Sequence, residues 1–226
     1  MAVVVPAYRC RPWIEGVVRD LSQHIPDATI IVVDDGSDDG TGELARRAGA
    51  IVLSHPTNRG KGSALRTGFA EALRRRCRAV VTVDGDGQHR AEDAAKVLAL
   101  VVGGKADLVL GNRMHNPGRM PRDRWLSNSL SSLVVSVACQ RRIRDAQCGL
   151  RAVSAQLLQQ LPLRSRRFEI ESEMILLAAK AGARIASRPV ASVYDEGDGN
   201  ATSHIARARD TLRFLRLIFS HFLRWS

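Results

Sequence analysis

Short runs of β-branched residues alternate with amphipathic helical stretches along the first half of this 226-residue chain. Strands are predicted at residues 2–5, 29–34, 50–53, 79–84 and 107–110. Helices are predicted at residues 12–25, 41–48, 63–76 and 91–102. Each begins with a proline in its first turn or follows an acidic or glycine-rich turn. The alternation is typical of βαβ units, so we predict an α/β fold with a mainly parallel central sheet sandwiched by helices. The turns that follow such strands gather at one edge of the sheet, where ligands bind.

The rhythm changes after about residue 112, where a basic, proline-containing loop begins. The elements predicted beyond it are a helix at 126–139, a strand at 149–153, a helix at 169–181, a strand pair at 183–194 and a long last helix from residue 205. With 45% hydrophobic residues the chain can bury one full core. We therefore predict one domain over residues 1–204, in two halves (1–111 and 112–204), followed by an amphipathic helix at 205–226.

Charge and cysteine usage limit the setting and the partners. The chain carries 34 Lys and Arg against 23 Asp and Glu, which favours an anionic partner such as a nucleotide, a nucleic acid or an acidic membrane. Its four cysteines form no Cys-x-x-Cys pair, so reduced thiols and a cytoplasmic location are expected. The apolar start is too short for a signal peptide, and no apolar run reaches the ~18 residues of a spanning helix.

The segment VTVDGDGQH delivers carboxylates from the end of a predicted strand into a glycine-opened turn. Asp84 and Asp86, with Gln88 close behind, offer the oxygen ligands that Mg²⁺ or Mn²⁺ prefers, and such ions keep open positions for diphosphate oxygens. The alternative is an ordinary surface turn, because Asp-Gly pairs form those as well. The residues in the other turns distinguish the metal site from the surface turn.

Three earlier turns are predicted to reach the same edge. In the first, which follows the first strand, the ring of Tyr8 can stack on a base. Asp34 or Asp35, in the second, can accept hydrogen bonds from a base or a ribose, although such an acidic turn also caps helices. The third contains Lys61 between two glycines at a predicted helix N-terminus, a natural seat for an anion. In this order, ahead of the Asp-x-Asp turn, they describe a site for a nucleoside diphosphate.

At this point the chain resembles the inverting glycosyltransferases of family 2, which have the GT-A fold, and among them the dolichyl-phosphate-mannose-synthase-like (polyprenyl-phosphate) enzymes. The match runs in order along nearly the whole chain. The segments that carry it are VVVPAY, VVDDGSDDGT, NRGKGSALRTGF, VTVDGDGQH, LVLGNR, DAQCGLRAV, FEIESEMI and RPVASVYDEGDGNATSH.

The resemblance implies a metal-dependent transfer from a GDP- or UDP-linked sugar, with residues 1–111 as the nucleotide-sugar-binding half and 112–204 as the acceptor-binding half. The residues implied around the donor are Pro6, Ala7, Tyr8, Asp34, Asp35, Lys61 and Gly85. Asp84, Asp86 and Gln88 would hold Mg²⁺ or Mn²⁺ on the diphosphate. One departure lies after the first strand, where Arg9-Cys10 replaces the family's usual Asn-Glu and removes a carboxylate.

The resemblance also suggests a lipid phosphate as acceptor. A phosphate monoester, with a second pKa of about 6, is already anionic, so cations that position it matter more than a base. Arg151 and His204 rank first because they lie in family-like motifs, and Arg151 is placed with Asp84 and Asp86 in the catalytic set. The further arginine candidates are Arg113, Arg119, Arg122, Arg124, Arg207 and Arg209. Glu169, Glu171, Glu173 and Asp145 are held in reserve as a base.

The helix predicted at 205–226 has an apolar side flanked by arginines, which fits either peripheral contact with a membrane or packing on the domain. Three other functions stay open. They are a family 2 enzyme that glycosylates a hydroxyl group, a sugar-phosphate nucleotidyltransferase, and a basic nucleic-acid-binding domain. The last is disfavoured because aromatic residues make up only 4% of the chain, so no nucleic acid is predicted as a partner. No oligomeric state is predicted.

Overall fold

A computed structural model describes residues 1–115, 120–191 and 216–218 of the chain. Its strands are β1 (Ala2–Ala7), β2 (Thr29–Asp34), β3 (Ile51–Ser54), β4 (Ala79–Thr82), β5 (Leu108–Asn112), β6 (Arg151–Ser154) and β7 (Ile185–Pro189). They form one sheet in the order β3-β2-β1-β4-β6-β5-β7. Every pairing in these ranges is parallel except those of β6, which runs antiparallel to β4 and β5. The predicted α/β class and mainly parallel sheet are therefore confirmed.

Helices cover both faces of the sheet. They are α1 (Ile14–His24), α2 (Thr41–Arg47), α3 (Lys61–Arg74), α4 (Ala91–Val102), α5 (Arg122–Cys139), α6 (Ala155–Gln160) and α7 (Ile170–Lys180), with a short 3₁₀ helix, η1 (Arg113–His115), after β5. In β1, Val4 joins the core beneath α3, α5, α6 and α7, whereas Val3 and Val5 join the core beneath α1 and α4. This alternation follows from the two-residue period of a strand, and it makes β1 apolar throughout because both of its faces are covered.

Several predicted boundaries agree with the structure and others need correction. The bounds of β2 and α4 agree with the sequence-based prediction, but β4 ends at Thr82, so Asp84 lies in the turn beyond it. The prediction of a strand pair at 183–194 was wrong for the described residues of that range. They contain one strand, β7, which pairs with β5. Helix α6 was not predicted because six residues are too short to show a helical period; its signal is the side chain of Ser154, which accepts a hydrogen bond from the Leu157 amide.

The described part of the C-terminal segment is short. Residues 216–218 are helical, and Ile218 is 7% exposed and belongs to the core beneath α5 and α7. Within the described ranges no helix combines the length and the apolar character needed to cross a membrane. The division of the chain at residue 204 stays a prediction.

Strand β6 decides where the second half of the chain meets the first. It enters the sheet between β4 and β5, and its first residue, Arg151, pairs with Thr82 at the carboxyl end of β4. The Thr82 hydroxyl donates a hydrogen bond of 2.6 Å to the carbonyl of Gly149. Because β6 is antiparallel, the segment that leads into it is brought to the same edge as the turns that follow β1, β2 and β4.

Helix α3 lies against β1 and β2 through a glycine. A Cβ at Gly68 would clash with a methyl group of Val4 and would lie 3.3 Å from one of Val33. The absence of a side chain at this point allows the helix to approach the sheet closely. The approach also fixes the height of the α3 N-terminus above the carboxyl edge.

Gly68→Ala is expected to lower the free energy of unfolding by about 1–3 kcal/mol, because the added methyl group overpacks the helix against the sheet. Gly16→Ala on α1 is the matched control, since nothing lies within 4 Å of its added carbon. That control should raise the free energy of unfolding by up to about 1 kcal/mol through helix propensity. Urea denaturation of both variants measures the difference, and equal stability of the two would refute the close-packing argument.

Candidate functional site

Asp35 anchors the glycine turn that precedes α3. Its carboxylate accepts hydrogen bonds from the backbone amides of Gly60 (2.7 Å) and Arg59 (3.0 Å) and pairs with Nδ1 of His55 (2.6 Å). Nε2 of His55 lies 3.0 Å from the hydroxyl of Thr67, which links the cluster to α3. Asp35 is only 3% exposed. Both carboxylate oxygens hold the protein's own groups, and a contact between Asp35 and the nucleoside stays a prediction.

Asp34, the neighbouring acid, ends β2 and is also buried, at 7% exposed. One carboxylate oxygen accepts a hydrogen bond of 3.0 Å from the amide of Ser37. A Cβ at Gly42 would lie 2.6 Å from the other oxygen, so the first turn of α2 passes directly over it. A contact between Asp34 and a nucleoside stays a prediction.

The turn after β1 is tied to the turn after β2. Pro6 and Ala7 are buried in the strand, and the Ala7 carbonyl accepts a hydrogen bond of 2.8 Å from the Asp35 amide. Tyr8 is half-buried, with the Arg9 guanidinium 5.4 Å from the centre of its ring. Arg9 has a positive φ of 53° and forms a two-bond ion pair with Asp38, at 2.9 and 2.7 Å. Arg9 therefore joins the two turns at the surface.

Cys10 occupies the position of the carboxylate expected from the family pattern. Its amide donates a hydrogen bond of 2.9 Å to the Thr41 hydroxyl, and a Cβ on Gly85 would lie 3.2 Å from its sulfur. Burial, together with the nearby charges of Asp86 and Asp84, raises the pKa of the Cys10 thiol to about 12. The residue is thus a neutral, space-filling group beneath the Asp-x-Asp turn.

Lys61 connects the glycine turn with the Asp-x-Asp turn. Its Nζ lies 2.6 Å from Oδ1 of Asp84 and 2.7 Å from Oε1 of Glu171, and it stands 5.8 Å from the centre of the Phe168 ring. Burial opposes ionisation of Asp84, but the Lys61 ammonium and the His89 ring hold its pKa well below the usual range. The two carboxylates in turn raise the pKa of Lys61 in spite of its burial. The basic and acidic turns therefore meet at one atom.

Close backbone contacts fix this meeting point. A Cβ on Gly149 would clash with the Asp84 carboxylate, and one on Gly60, where φ is 94°, would lie 2.5 Å from the Arg166 carbonyl oxygen. The Ser63 amide donates a hydrogen bond of 3.0 Å to the same carbonyl. Segments far apart in sequence can touch the site because these glycines leave room for them.

Asp86 lies beside Asp84 and forms no ion pair of its own with the described residues. Burial and the Asp84 carboxylate raise the pKa of Asp86 above its usual range, and Oδ1 accepts a hydrogen bond of 3.0 Å from the amide of Gln88. His89 is buried beside the pair, with Nε2 3.5 Å from Asp84, and its Nδ1 has no hydrogen-bond partner among the described residues. A cation near both carboxylates would relieve their mutual repulsion.

The donor set fits a cation that is shared with a substrate. Within the described ranges, no three His, Cys, Asp or Glu side chains converge into a complete metal site. Mg²⁺ commonly uses only one or two carboxylates and completes its shell with water and phosphate oxygens. Asp84 and Asp86 supply two such carboxylates, and the half-buried Gln88 stands next to them.

The arginines predicted for the acceptor lie in different environments. Arg113 follows β5 and grips Asp145 through Nε (2.9 Å) and a terminal nitrogen (3.1 Å), while Arg122 is exposed at the start of α5. Arg124 is half-buried two residues further on. Substrate contacts of these residues stay predictions. His204, Arg207, Arg119 and Arg209 lie outside the described residues.

Three of the four acids held in reserve as a base are engaged by the protein itself. Asp145 is fully buried against Arg113, and Glu171 pairs with Lys61. Glu173 accepts hydrogen bonds from the amides of Arg164 and Ser165, at 3.0 and 2.9 Å. Glu169 differs, because its buried Oε2 has no hydrogen-bond partner among the described residues.

Arg151 is a buried support of the site. It is 2% exposed, and its guanidinium donates to the carbonyls of Glu171 (2.6 Å), Cys148 (2.6 Å) and, more weakly, Ala146 (3.4 Å). The prediction that Arg151 holds the acceptor phosphate does not fit these contacts, because its donors point into the protein. They hold the segment before β6 against the first turn of α7, which carries Glu171.

Arg151→Met is expected to lower the free energy of unfolding by about 2–4 kcal/mol, because at least two buried carbonyls lose their donor. Arg19→Met on α1 is the matched control; Arg19 makes an exposed ion pair with Glu15, so its loss should cost less than about 0.5 kcal/mol. Chemical denaturation provides the comparison. An unchanged stability with a raised KM for a phosphate acceptor would restore the substrate-binding role.

The parts played by His55 and Phe168 were not predicted from the sequence, and Glu171 was predicted only as one of several candidate bases. His55 gives no local signal, because a single histidine after a strand is a common surface residue. Phe168 and Glu171 lie in the FEIESEMI segment, which marks the region but not the contact with Lys61.

Comparisons with known proteins show the family to which the chain belongs. The Glycosyl transferase family 2 profile matches residues 2–161. A UDP-N-acetylglucosamine–dolichyl-phosphate N-acetylglucosaminyltransferase of Methanococcus voltae is 32% identical over 216 residues, which cover 86% of each protein. An undecaprenyl-phosphate mannosyltransferase of Micrococcus luteus is 31% identical over 207 residues, or 85% of this chain and 83% of the relative.

Among solved structures, glucosyl-3-phosphoglycerate synthase from Mycobacterium tuberculosis, crystallised with Mn²⁺, UDP and phosphoglyceric acid, superposes with a TM-score of 0.72. The match covers 99% of this chain and 77% of that one. Because the two sequences are only 21% identical, the match is evidence for the fold alone. The profile spans β1 to β6 and the turns that contain Tyr8, Asp34, Lys61 and Asp84. The chain therefore belongs to glycosyltransferase family 2, and it is a glycosyltransferase of GT-A fold.

Proposed function

We propose that this enzyme moves a sugar from a UDP- or GDP-linked donor to a polyprenyl-type lipid phosphate, with inversion and with the help of Mg²⁺ or Mn²⁺. The observation that carries the proposal is the contact of 2.6 Å between Lys61 and Asp84. It brings a cationic helix N-terminus and an acidic metal-type turn to one point of the sheet edge. A sugar diphosphate with its cation presents both charges that such a point can hold.

The donor end of the site would be formed by the turns that follow β1, β2 and β4 together with the start of α3. Asp84, Asp86 and Gln88 would hold the cation, and the N-terminal turn of α3 would face the diphosphate. When bound, the cation supplies Lewis-acid stabilisation of the leaving diphosphate. Tyr8 and Asp34 lie at the neighbouring strand ends, where the nucleoside would be placed. A structural relative was crystallised with Mn²⁺ and UDP, which supports a divalent cation and a nucleotide as ligands of this fold.

Lys61 has two roles in this proposal. In the structure it pairs with Asp84, and the same carboxylate would hold the cation. With Asp84 engaged in that way, the Lys61 ammonium would be free to meet the diphosphate, while Glu171 would keep the lysine within the site. A lysine held by two carboxylates can change partner without becoming an unpaired buried charge, which would be costly.

The acceptor assignment rests on the engaged acids. A hydroxyl acceptor needs a base in reach, yet Asp145, Glu171 and Glu173 are all occupied by the protein's own cations and amides. A phosphate acceptor is already ionised near neutral pH and needs no such base. The two curated relatives described above are named for lipid-phosphate acceptors, which supports the same class.

A groove beside α5 suits an amphiphilic acceptor. It has a volume of about 800 Å³ and opens between η1 and α5. Its lining includes the apolar side chains of Met114, Trp125 and Leu133, together with the buried Asn112, whose Oδ1 has no hydrogen-bond partner among the described residues. Asn112 ends β5 at the same sheet edge as the donor turns.

A hydroxyl acceptor is the second candidate, and one observation favours it. Glu169 is the acid in this region whose buried Oε2 has no partner in the described part of the chain, so it retains the capacity to take a proton. Whether Glu169 acts as a base therefore distinguishes a hydroxyl acceptor from a phosphate acceptor.

Asp86→Asn is expected to abolish the thermal stabilisation that Mn²⁺ and a donor nucleotide together give the protein, because the variant loses one of two metal carboxylates. Ligand concentrations of 100 times Kd stabilise a fold by about 2.7 kcal/mol, so the loss is measurable by differential scanning fluorimetry. Asp27→Asn, at an exposed site before β2, is the control and should behave as the wild type. Wild-type stabilisation of Asp86→Asn would exclude the metal role.

Transfer to polyprenyl phosphate compared with polyprenol of the same chain length tests the acceptor. Labelled sugar should move only to the phosphate, and Glu169→Gln should retain at least about half of that activity because no base is needed. The hydroxyl acceptor would be favoured if the wild type transferred sugar to the alcohol and Glu169→Gln lowered that rate by about 100-fold or more. A loss of this size is typical of general-base catalysis.

A further inference from the structure

The large exposed hydrophobic side chains of the described residues are concentrated on one helix. Apart from Val102, which ends α4, all of them lie on α5. They are Trp125 (45% exposed), Leu126 (64%), Leu130 (61%), Leu133 (61%) and Val137 (62%). A contiguous apolar surface of this kind is rare on a soluble monomer and marks a site of interaction.

Their spacing places them on one side of the helix. Leu126, Leu130, Leu133 and Val137 follow each other at intervals of four, three and four residues, which repeats a helical period. The stripe is about 16 Å long at 1.5 Å per residue. Val135 and Ala138, on the other side of α5, are fully buried in the core. The helix thus has two apolar faces, and the second, here called the α5 outer face, points away from the protein.

Positive charge brackets the α5 outer face. Arg122 and Arg124 precede it, and the segment directly after the helix contains Arg141, Arg142 and Arg144. Of the arginines at its two ends, Arg122, Arg141, Arg142 and Arg144 are exposed. The first turn of α5 contains one acid, Asp123. Apolar side chains with a tryptophan at one end and arginines at both ends match the boundary of a bilayer that contains anionic lipids.

The α5 outer face is also coupled to the catalytic edge. The Gln147 amide group donates a hydrogen bond of 2.8 Å to the Ser131 hydroxyl, and the Ala146 backbone amide donates one of 3.0 Å to the Ser132 hydroxyl. Two residues further on, Gly149 lies directly against the Asp84 carboxylate. Residues 146–149 therefore connect α5 directly to the Asp-x-Asp turn. A bilayer bound to α5 would be separated from that turn only by the helix and this short segment.

We infer that the α5 outer face binds the surface of an anionic bilayer. A second copy of the chain is a poorer occupant, because it would bring the arginine clusters of two molecules together. An acidic protein would satisfy the arginines but not the continuous apolar stripe. The inference deepens the proposed function by giving the lipid acceptor a route to the site, yet it depends only on α5 and survives if the acceptor proves to be a hydroxyl compound.

Co-sedimentation of the full chain with vesicles tests the inference without measuring transfer. We expect binding to phosphatidylglycerol–phosphatidylcholine vesicles and weak binding to phosphatidylcholine alone. Leu126→Gln/Leu130→Gln removes two apolar side chains outside the groove and should weaken partitioning at least about ten-fold. Val102→Gln, on α4, is the matched control and should bind as the wild type. Arg142→Gln/Arg144→Gln should lose about five-fold for each charge removed.

Three outcomes would overturn the inference. They are no binding of the wild type to anionic vesicles, unchanged binding of Leu126→Gln/Leu130→Gln, and a wild-type dimer in solution that this double variant converts to monomer while vesicles are ignored. Circular dichroism and thermal melting of each variant verify its fold. Loss of sugar transfer with intact vesicle binding would count against the proposed function alone.

Discussion

The ion pairs of Lys61 with Asp84 and Glu171 are the interaction on which the site depends, because three parts of the chain have to be in place before they can form. Lys61 begins α3, Asp84 follows β4, and Glu171 lies in the first turn of α7. A buried charge without a partner is strongly destabilising, so each of these elements is held in position by the need to satisfy the others. The acidic pair Asp84 and Asp86 still carries more negative charge than Lys61 can neutralise, which is why a cation suits this point.

Around these ion pairs, most of the polar groups support the protein rather than the substrate. Asp35 holds the glycine turn, Arg151 holds the carbonyls before β6, and Glu173 holds two amides ahead of α7. Such interactions keep loops rigid where strands end, and rigid loops around the substrate favour transfer because the reacting groups need no reorganisation. The same engagement removes most of the acids from consideration as a base, which links the stability of the site to the choice of acceptor.

Sequence patterns predicted a mainly parallel sheet, the positions of its first five strands along the chain and the turns that line its carboxyl edge, because alternation and helical periodicity are local properties. Asp84, Asp86 and Lys61 were recognised from their turns and do lie together. The pattern did not reveal that Arg151, which looked like a phosphate ligand in its motif, is buried against the protein's own carbonyls, and it did not reveal the hydrogen bonds between Asp35 and His55. An arginine or aspartate in a turn has the same local appearance whether its side chain faces the substrate or the interior.

By itself, then, the sequence determined the fold class, the family and the acidic and basic turns of the donor site, since each is written in a short stretch of residues. Only the tertiary structure decided which charged side chains pair with other groups of the protein and which face outward. Lys61 and Glu171 are 110 residues apart, and no local pattern records that they meet. The outward apolar face of α5 was likewise hidden, because a helix that is apolar on two sides resembles a fully buried one until its neighbours are known.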